Sequence, residues 1–520
     1  MHDAVVIGSG PNGLVGANVL ADQGWDVVVL EANDTPGGAV RSGEITAPGF
    51  NSDLFSAFHP LGAASPVIRE LELERWGLEW SRAPLALAHP TPDGPTVAVS
   101  MDIDETAASL DRFAPGDGDR WRSLYGIWER VEEHLLELLL RPFPPVRSGV
   151  RMAVAAGPTL PDLVRVGLGT ARGVGRRWFE GEGGRVLLAG NAGHADIPME
   201  QPGSAMFGWM MTCLGQSVGF PTPAGGTSEL TGALVRRLEA RGGRVELGRR
   251  VEAIEVRDGR AEAVRVAGGD VVAASRAVLA DVGGTALYLD LVGAKHLRPS
   301  FVRRVRRFRR GPSTVKVDWA LSSPIPWSDP VTGRAGTVHV GDSVDEIATT
   351  FNDADEGIIP SRPFMLVGQM TTADPSRSPV GTECAWAYTH VPQVTKADAG
   401  GDLKGVWDES EGDRFADRME ARIERLAPGF RDHIIARHVF TPPGLEASNA
   451  NLVGGDIGNG TMRLNQQLML RPVLGTGRPE TPIKGLYLAS AAAHPGGGVH
   501  GACGANAAQA ALLHDRLARP

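Results

Sequence analysis

The apolar positions near the start of the chain fall into two short continuous runs, Val5–Ile7 and Val27–Leu30. Runs of this length that are bounded by turn residues are typical of buried strands. Glycines follow the first run, and Glu31 follows the second run directly. The pattern predicts a strand, a glycine turn, a helix and a second strand that ends in an acidic residue.

The first turn carries the spacing of a dinucleotide-binding loop. Gly8 permits a tight turn after the strand, Gly10 lets a pyrophosphate approach the backbone, and Gly13 lets the helix pack closely on the sheet. Pro11 and Asn12 stand at the start of that helix, whose free N–H groups and partial positive charge favour phosphates. We expect all five residues to contact a dinucleotide.

A carboxylate and a second glycine turn refine the identity of the cofactor. Glu31 lies 18 residues after Gly13 and, beside Ala32, can accept hydrogen bonds from ribose hydroxyls. It would repel a 2′-phosphate, which argues against NADP. Gly37–Gly38 and Arg41 form either a simple surface loop or a second phosphate-facing turn. Their order resembles the FAD-binding start of the amine oxidase and phytoene desaturase superfamily, which favours FAD over NAD.

A β-meander is predicted in the middle of the chain, after a helix through Leu230, Leu234 and Leu238. Its strands alternate apolar and polar residues, and Asp258-Gly259 has the composition of a hairpin turn. The predicted strands are Arg244–Leu247, Val251–Val256, Ala263–Val266 and Ala277–Asp281. We expect Val251 and Asp281 to lie at the cofactor.

Three separated segments therefore form one predicted FAD-binding domain: residues 1–70, 221–290 and 455–520. Residues 71–220, which are mostly helical, and 291–454 form the predicted substrate domain. The predicted fold is a Rossmann-like α/β domain with an inserted mixed α/β domain, and this topology places an active site between the two domains.

Composition excludes several other classes of protein. The chain has 520 residues, 42% of them hydrophobic and 22% charged, and its net charge of −9 gives no indication of nucleic-acid binding. The cysteines Cys213, Cys384 and Cys503 are more than 100 residues apart, and no CxxC motif or zinc spacing is present. No metal site is expected, and so few cysteines fit a reducing cytosol.

The first strand begins too early to leave room for a signal peptide, and no apolar stretch is long enough to span a bilayer. We therefore expect a cytoplasmic protein that is at most peripheral to a membrane. The arginines of Phe301–Arg310, and a looser set between Arg147 and Arg177, indicate either solvated helix faces or contact with an anionic surface. The apolar stretch His134–Pro144 is either a core helix or a lipophilic entrance.

The last segment carries the strongest family resemblance. Gly485–Gly504 resembles the C-terminal FAD motif of the phytoene desaturase family, and the chain is most similar to its phytoene-dehydrogenase-related branch, the pyridine nucleotide-disulfide oxidoreductase domain-containing proteins. The resemblance runs from Asp3 to about Ala511. Other matching segments are Pro223–Gly226, Trp386–Pro392, Gly454–Ile457, Leu470–Pro472 and Thr481–Gly485.

The resemblance implies a fold like that of p-hydroxybenzoate hydroxylase and the amine oxidases, with non-covalent FAD. It implies hydride abstraction from an unactivated C–C or C–N bond, with electrons passed to oxygen, a quinone or a protein carrier. The backbone at Gly498 and Val499 is expected to face the flavin edge that becomes negative on reduction. Gly173–Arg177 lacks the third glycine of a second dinucleotide motif, so a separate NADPH domain is not expected.

Histidines are the candidate acid–base groups. His59 and His494 are either catalytic or structural, and the same alternatives apply to His500. For His390 we favour a cross-strand hydrogen bond, and for Lys316 and Asp318 a salt bridge or an exposed pair. His194 is another candidate for an acid–base group. Asn459 stands at a position where the resembling branch often has a histidine, so histidine-dependent chemistry of that branch does not carry over directly.

Three functions remain open from the sequence. The first is dehydrogenation or desaturation of an apolar or mixed small molecule by an FAD-dependent enzyme. The second is an FAD-dependent isomerase or amine oxidase on the same fold, although an amine oxidase would want two aromatic rings beside the flavin and the chain has four tyrosines. The third is a flavin-binding interaction protein without turnover. The sequence does not indicate the oligomeric state.

Overall fold

One seven-stranded sheet, the cofactor sheet, is assembled from three distant parts of the chain. The computed structural model describes residues 1–92 and 94–518. The strand His2–Ile7 lies between Val27–Leu30 and Val271–Ala280, and all three are parallel. Arg244–Glu246 and Leu486–Leu488 extend the parallel part, and Val251–Arg257 and Arg260–Val266 form the meander. The predicted strands of this sheet are confirmed.

Three helices pack together on the cofactor sheet: Pro11–Ala21, Ser228–Ala240 and Ala502–Ala518. Their apolar residues share one core with strand residues such as Val6, Val29 and Leu279. The middle helix buries Leu230, Leu234 and Leu238, as its sequence predicted. These helices packed against a parallel sheet give the α/β layering of a Rossmann-like unit.

A second seven-stranded sheet has mixed pairing. Its order is Ile434–Phe440, Ser313–Leu321, Glu383–Val391, Met365–Gln369, Ala335–Val340, Leu85–His89 and Val97–Val99. The helix Glu409–Leu426 covers one face. The fold class is thus the predicted one, whereas the residue boundaries of the two domains stay predictions.

A helical layer covers the other face of the second sheet. It contains Ile103–Asp111, Asp117–Leu140, Val146–Ala156, Leu160–Leu168, Ala171–Trp178, Glu182–Ala192 and Ser204–Ser217. Leu135, Leu136 and Leu140 are buried in its core, so the apolar stretch predicted as a core helix or an entrance is a core helix.

Shorter elements connect these layers. The remaining helices are Pro60–Ala64, Pro66–Glu70, Pro299–Val305, Val344–Glu356, Met370–Ala373 and Pro442–Ser448. Two-residue strands pair Ser42–Gly43 with Ser52–Asp53, Trp80–Ser81 with Thr222–Pro223, and Ile358–Ile359 with Ala397–Asp398. Within the described ranges, no helix has both the length and the apolar character needed to cross a membrane.

Candidate functional site

Three polar or glycine positions meet at one edge of the cofactor sheet. Ile7 pairs in register with both Leu30 and Ala280, so the carboxyl ends of three parallel strands coincide. Gly8, Glu31 and Asp281 are the next residues of those strands. In open α/β sheets, ligands bind in the crevice outside this edge.

The first glycine turn is packed too tightly for side chains. A Cβ atom on Gly13 would lie 2.2 Å from the Gly8 carbonyl oxygen, and one on Gly10 would lie 2.5 Å from an Asp281 carboxyl oxygen. Gly38, from the second turn, would bring a Cβ within 3.0 Å of the Gly10 Cα. The two turns are therefore in contact. The side-chain oxygen of Asn12 is buried beside them without a hydrogen-bond partner in the described structure.

Glu31 is buried and is held by two neighbours. One carboxyl oxygen accepts hydrogen bonds from the Ser9 backbone N–H at 2.9 Å and the Ser9 hydroxyl at 2.7 Å. The other accepts from the backbone and side-chain N–H groups of Asn33, both at 2.9 Å. Glu31 thus fixes the loop after the second strand to the glycine turn, a contact that its position in the sequence did not predict. Ala32, beside it, is exposed.

Asp281 lies directly on the glycine turn. Its carboxyl group accepts a hydrogen bond of 2.9 Å from the Gly13 backbone N–H, at the start of the first helix. Burial raises the pKa of Asp281 from 3.8 to about 7. Repulsion by Glu31 raises this pKa further, whereas the hydrogen bond from Gly13 lowers it. The charge of this site therefore changes near neutral pH.

Asp281→Asn is expected to remove a pH dependence. Because folding raises this pKa, the folded protein binds more protons than the unfolded chain between pH 3.8 and about 7, and stability falls as pH rises through that window. An ionised Asp281 would also repel a diphosphate. We expect wild-type affinity for FAD to fall about tenfold between about pH 6 and pH 8, and the affinity of Asp281→Asn to stay level. Fluorescence titration of the apoprotein measures both, and equal pH profiles would contradict this prediction.

Arg41 connects the second glycine turn to the end of the helix Pro442–Ser448 by hydrogen bonds. Its guanidinium donates to the Gly38 carbonyl at 3.0 Å and to the Ser448 carbonyl at 2.8 Å. It also lies 5.3 Å from the centre of the Phe55 ring. Burial lowers its pKa, partly offset by Glu31 and Asp34, and its role toward a cofactor stays a prediction.

The remaining predicted cofactor residues lie around this edge. The Gly37 N–H donates to the Ser9 carbonyl at 3.1 Å. Val251 packs in one apolar cluster with Ile7 and Leu30, the residues that precede Gly8 and Glu31.

The C-terminal motif contacts the helix that follows the first glycine turn. A Cβ atom on Gly504 would lie 1.8 Å from the Asn12 carbonyl oxygen, so the last helix and the first helix touch at this glycine. Gly498 has a φ of +117° and lies against Leu61 and His500. The carbonyl of Val499 lies against Gly62. The predicted flavin-facing backbone is thus next to the helix Pro60–Ala64.

His494 joins this motif to the helical layer. Its Nε2 lies 2.9 Å from the Arg141 carbonyl oxygen, and Asn506 donates to the Leu140 carbonyl at 2.9 Å. Leu140 is the last residue of the long helix Asp117–Leu140, and Arg141 follows it directly. Burial lowers the pKa of His494, and its Nδ1 is buried without a partner in the described structure. The Nε2 of His494 therefore has a structural contact, and a catalytic role for His494 stays a prediction.

His59 is fixed on both sides. Its Nε2 shares a 2.7 Å hydrogen bond with the Thr227 hydroxyl, and its Nδ1 lies 3.4 Å from the Ser56 hydroxyl. Burial lowers the pKa of His59 to about 4, despite the nearby carboxylate of Asp53. The ring is therefore neutral at pH 7, and its partners are those of a structural histidine. Catalysis by His59 stays a prediction.

Arg471 was overlooked as a site residue. It is fully buried, and within the described residues its guanidinium donates to backbone carbonyls, those of Gly458, Asn459, Thr461 and Ala491. It thereby holds the loop around Asn459 against the C-terminal motif. Its position in Leu470-Arg471-Pro472 was a family marker, but nothing local to the sequence indicated these partners.

Buried titratable groups also cluster in the second sheet. Lys316 and Asp318 form an ion pair that is almost completely buried, which confirms the salt bridge predicted for them. His194 and His339 approach within 3.0 Å through their Nε2 atoms, and His390 lies 3.2 Å from Asp196. Across the described residues, no three His, Cys, Asp or Glu side chains are grouped to hold a metal ion.

Comparison with known proteins agrees with this architecture. Residues 6–71 match the model of the NAD(P)-binding Rossmann-like domain family. The pyridine nucleotide-disulfide oxidoreductase domain-containing protein 2 of Rattus norvegicus is 28% identical, over 98% of this chain and 92% of that protein. A lycopene-forming phytoene desaturase of Pseudescherichia vulneris is also 28% identical, over 99% and 100%.

The fold is also that of a solved oxidase. The structure of putrescine oxidase bound to putrescine superimposes with a TM-score of 0.62 at 16% identity, over 100% of this chain and 99% of that one. At this identity the likeness shows a shared fold, and the full-length relatives and the glycine turns at the strand ends are the evidence for the class of protein. Over nearly its whole length the chain is similar to phytoene desaturases and to pyridine nucleotide-disulfide oxidoreductase domain-containing protein 2, and it is a flavin-dependent oxidoreductase.

Proposed function

We propose that this protein binds FAD non-covalently and dehydrogenates an apolar or mixed small molecule. The observation that carries the proposal is the meeting of two glycine turns, Glu31 and the C-terminal motif at the carboxyl edge of the cofactor sheet. The crevice outside such an edge is where a dinucleotide binds in this fold class.

The residues at this edge fit the cofactor. The contact between Gly10 and Gly38 leaves bare backbone that a pyrophosphate can approach, and the start of the first helix supplies N–H groups. The unpartnered oxygen of Asn12 offers a further polar contact. We propose that Glu31 and Val251 bind the ribose and adenine side, and that Gly498 and Val499 bind the flavin side.

The state of the thiol in the C-terminal motif supports the proposal of non-covalent attachment. Cys503, in the C-terminal motif, is fully buried, and its Sγ lies 3.7 Å from the carbonyl oxygens of Ala493 and Gly496. Burial raises its pKa to about 12, so it is a thiol and not a nucleophilic thiolate at neutral pH.

When bound, FAD supplies the acceptor for a hydride that leaves a substrate carbon, and its electrons pass on to oxygen, a quinone or a protein carrier. The chain itself contributes positioning and exclusion of water. His59 is neutral and bound to its neighbours, so the site offers little acid–base chemistry there. That suits a substrate without ionisable groups, such as the phytoene in the name of one relative.

The absorption spectrum of the purified protein tests the proposal. We expect a flavin spectrum, release of FAD on denaturation, and bleaching under anaerobic conditions by an apolar hydrocarbon but not by putrescine. A colourless protein that FAD does not reconstitute would overturn the redox function. Flavin that stays on the denatured chain would overturn non-covalent binding, and bleaching by putrescine alone would make the protein an amine oxidase.

A further inference from the structure

One residue of a central strand in the second sheet is incompletely buried. The strand Glu383–Val391 is paired on both sides, with Ser313–Leu321 and Met365–Gln369. Every residue of this strand is buried except Tyr388. Tyr388 and Trp386 pack against the apolar core of the helical layer. A partly exposed tyrosine in this position indicates an internal space between the sheet and the helical layer.

Contacts around this space form a closed circuit, which we call the cavity ring. One side of the cavity ring is apolar and aromatic. A Cβ atom on Gly498, in the C-terminal motif, would lie 3.3 Å from Leu61. Phe58, three residues before Leu61, has its ring centre 6.2 Å from that of Trp386. Trp386 and Tyr388 in turn stack with their ring centres 5.9 Å apart.

The other side of the cavity ring is polar. Tyr388 meets the ring of His390 edge-on at 5.7 Å, and the Nε2 of His390 lies 3.2 Å from the Oδ1 of Asp196. The Oδ2 of Asp196 lies 3.5 Å from the position of a Cβ atom on Gly458. The Gly458 carbonyl oxygen lies 3.1 Å from such a position on Gly497. One glycine therefore separates the carboxyl group of Asp196 from the C-terminal motif.

Asp196 and His390 are a buried pair with unpaired polar atoms. The Oδ1 of Asp196 and both ring nitrogens of His390 have no hydrogen-bond partner in the described structure, so the cross-strand hydrogen bond predicted for His390 is not formed. Buried polar groups are normally hydrogen-bonded, and exceptions call for an explanation. An acid and a base that are held together on a cavity wall, without other partners, are suited to receive a proton.

Burial favours the uncharged form of both groups. It lowers the pKa of His390 to about 4 and, together with repulsion by Asp456, raises the pKa of Asp196 well above 3.8. The other titratable groups that face the pair are also kept uncharged: burial lowers the pKa of His194 to about 3 and raises the pKa of Tyr388. A protonated Asp196 beside a neutral His390 is the form that burial favours.

We propose that Asp196 and His390 receive the proton that dehydrogenation releases. Their role rests on the function proposed above, in which one C–H bond of the substrate is lost as a hydride to the flavin. The C–H bond on the neighbouring carbon gives its proton to the Oδ2 of Asp196, and its electron pair becomes the new C=C bond. A proton already on Asp196 passes from Oδ1 to the Nε2 of His390, 3.2 Å away.

Charge and atoms balance in this step. The flavin gains the two electrons and the hydrogen of the hydride, and the pair gains the proton. Loss of the hydride makes the neighbouring C–H bond strongly acidic, so a weakly basic pair is sufficient to accept its proton. A positive charge on the pair and a negative charge on the reduced flavin then stabilise each other across the cavity.

Proton uptake during photoreduction of the flavin tests the pair without any substrate. The negative charge of a reduced flavin favours protonation of a nearby carboxylate. We expect the wild type to take up more protons per flavin than Asp196→Asn. The difference should grow to about one proton as pH rises through the raised pKa of Asp196. A pH indicator in weakly buffered anaerobic solution measures the uptake, and Asp281 is unchanged in both proteins, so its own titration cancels.

Glu383→Gln is the matched control. Glu383 begins the strand that contains His390, and burial raises its pKa to about 7. Seven residues of strand, about 23 Å, separate the two, and the alternation of side chains places them on opposite faces of the sheet. The control thus removes a buried carboxyl group of raised pKa outside the cavity ring, and it should take up as many protons as the wild type. Melting temperature and flavin content report folding of each variant.

Rapid anaerobic mixing with phytoene tests the step itself. The rate of flavin reduction in the wild type should rise with pH, because an ionised Asp196 is the better proton acceptor. Asp196→Asn should lower this rate by about 10²–10⁴-fold and abolish its pH dependence. His390→Gln should cause a smaller loss, because the carboxyl group remains, and Glu383→Gln should retain both the rate and the pH profile.

Equal proton uptake by the wild type and Asp196→Asn at every pH would overturn the proposal. Reduction of Asp196→Asn by phytoene at the wild-type rate would overturn it as well, while leaving the proposed dehydrogenation intact. If phytoene bleached none of the proteins but the difference in proton uptake persisted, the proposed hydrocarbon substrate would be wrong and the proton-accepting pair would stand.

Discussion

Gly504→Ala is expected to separate the first and last helices and to abolish flavin retention. The added methyl group would lie 1.8 Å from the backbone carbonyl oxygen of Asn12, and a backbone atom inside a packed helix cannot move aside locally. Overpacking of this kind costs on the order of 2–3 kcal/mol of stability. The movement would also displace the glycine turn from the C-terminal motif. Thermal unfolding and the flavin-to-protein absorbance ratio measure the two effects.

Gly126→Ala is the matched control for this substitution. Gly126 lies within the helix Asp117–Leu140, and a Cβ atom there would meet no atom within 4 Å. Alanine should stabilise this helix by up to about 1 kcal/mol, because it is the better helix former. If both variants had the same melting temperature and retained flavin equally, the close helix contact at Gly504 would not be needed for the cofactor site.

Glu31→Ala is expected to have a comparable effect through lost hydrogen bonds. The substitution leaves the N–H and hydroxyl of Ser9 and two N–H groups of Asn33 without their acceptor. Each of the two buried donors of Ser9 costs roughly 1–3 kcal/mol when unpaired, though not additively, and the part-buried donors of Asn33 cost less. The glycine turn should loosen, and purified protein should contain little FAD. Flavin content after purification and isothermal titration with FAD measure this loss.

A conservative variant and a control variant are compared with Glu31→Ala. Glu31→Gln keeps one acceptor oxygen but presents an amide to donors, so we expect an intermediate loss of FAD affinity. Glu252→Ala removes an exposed glutamate from the neighbouring strand Val251–Arg257 and should change stability by no more than about 0.5 kcal/mol. Full flavin content in Glu31→Ala would remove this carboxylate from the cofactor site.

Local patterns predicted the elements of the cofactor sheet because each strand and turn has its own short signal. Val5–Ile7, Val27–Leu30 and the Asp258-Gly259 turn are all found where the sequence places them. Gly13 proved to be needed for close packing, which its place in the motif indicates. The family resemblance at residues 485–504 predicted that the last helix belongs with the first, although more than 470 residues separate Gly13 from Gly485.

Other features depend on contacts that no local pattern contains. The carboxyl group of Asp281 sits on the glycine turn only because Ile7 and Ala280 are in register. Arg471 finds its carbonyl partners in loops on both sides of it in sequence. The valines of Val146–Ala156 have helical spacing, but spacing alone does not say whether a stripe faces the core or the solvent.

The assembly of the cofactor sheet from three parts of the chain has a consequence for biosynthesis. At 5–20 residues per second, the ribosome completes the strand His2–Ile7 and the first helix roughly 25 to 100 seconds before the helix Ala502–Ala518 that covers them. The apolar side chains of Leu14 and Val15, buried in the finished protein, are uncovered for that interval. We therefore expect the nascent chain to bind holding chaperones during that interval, and cofactor to be captured after the last helix has been made.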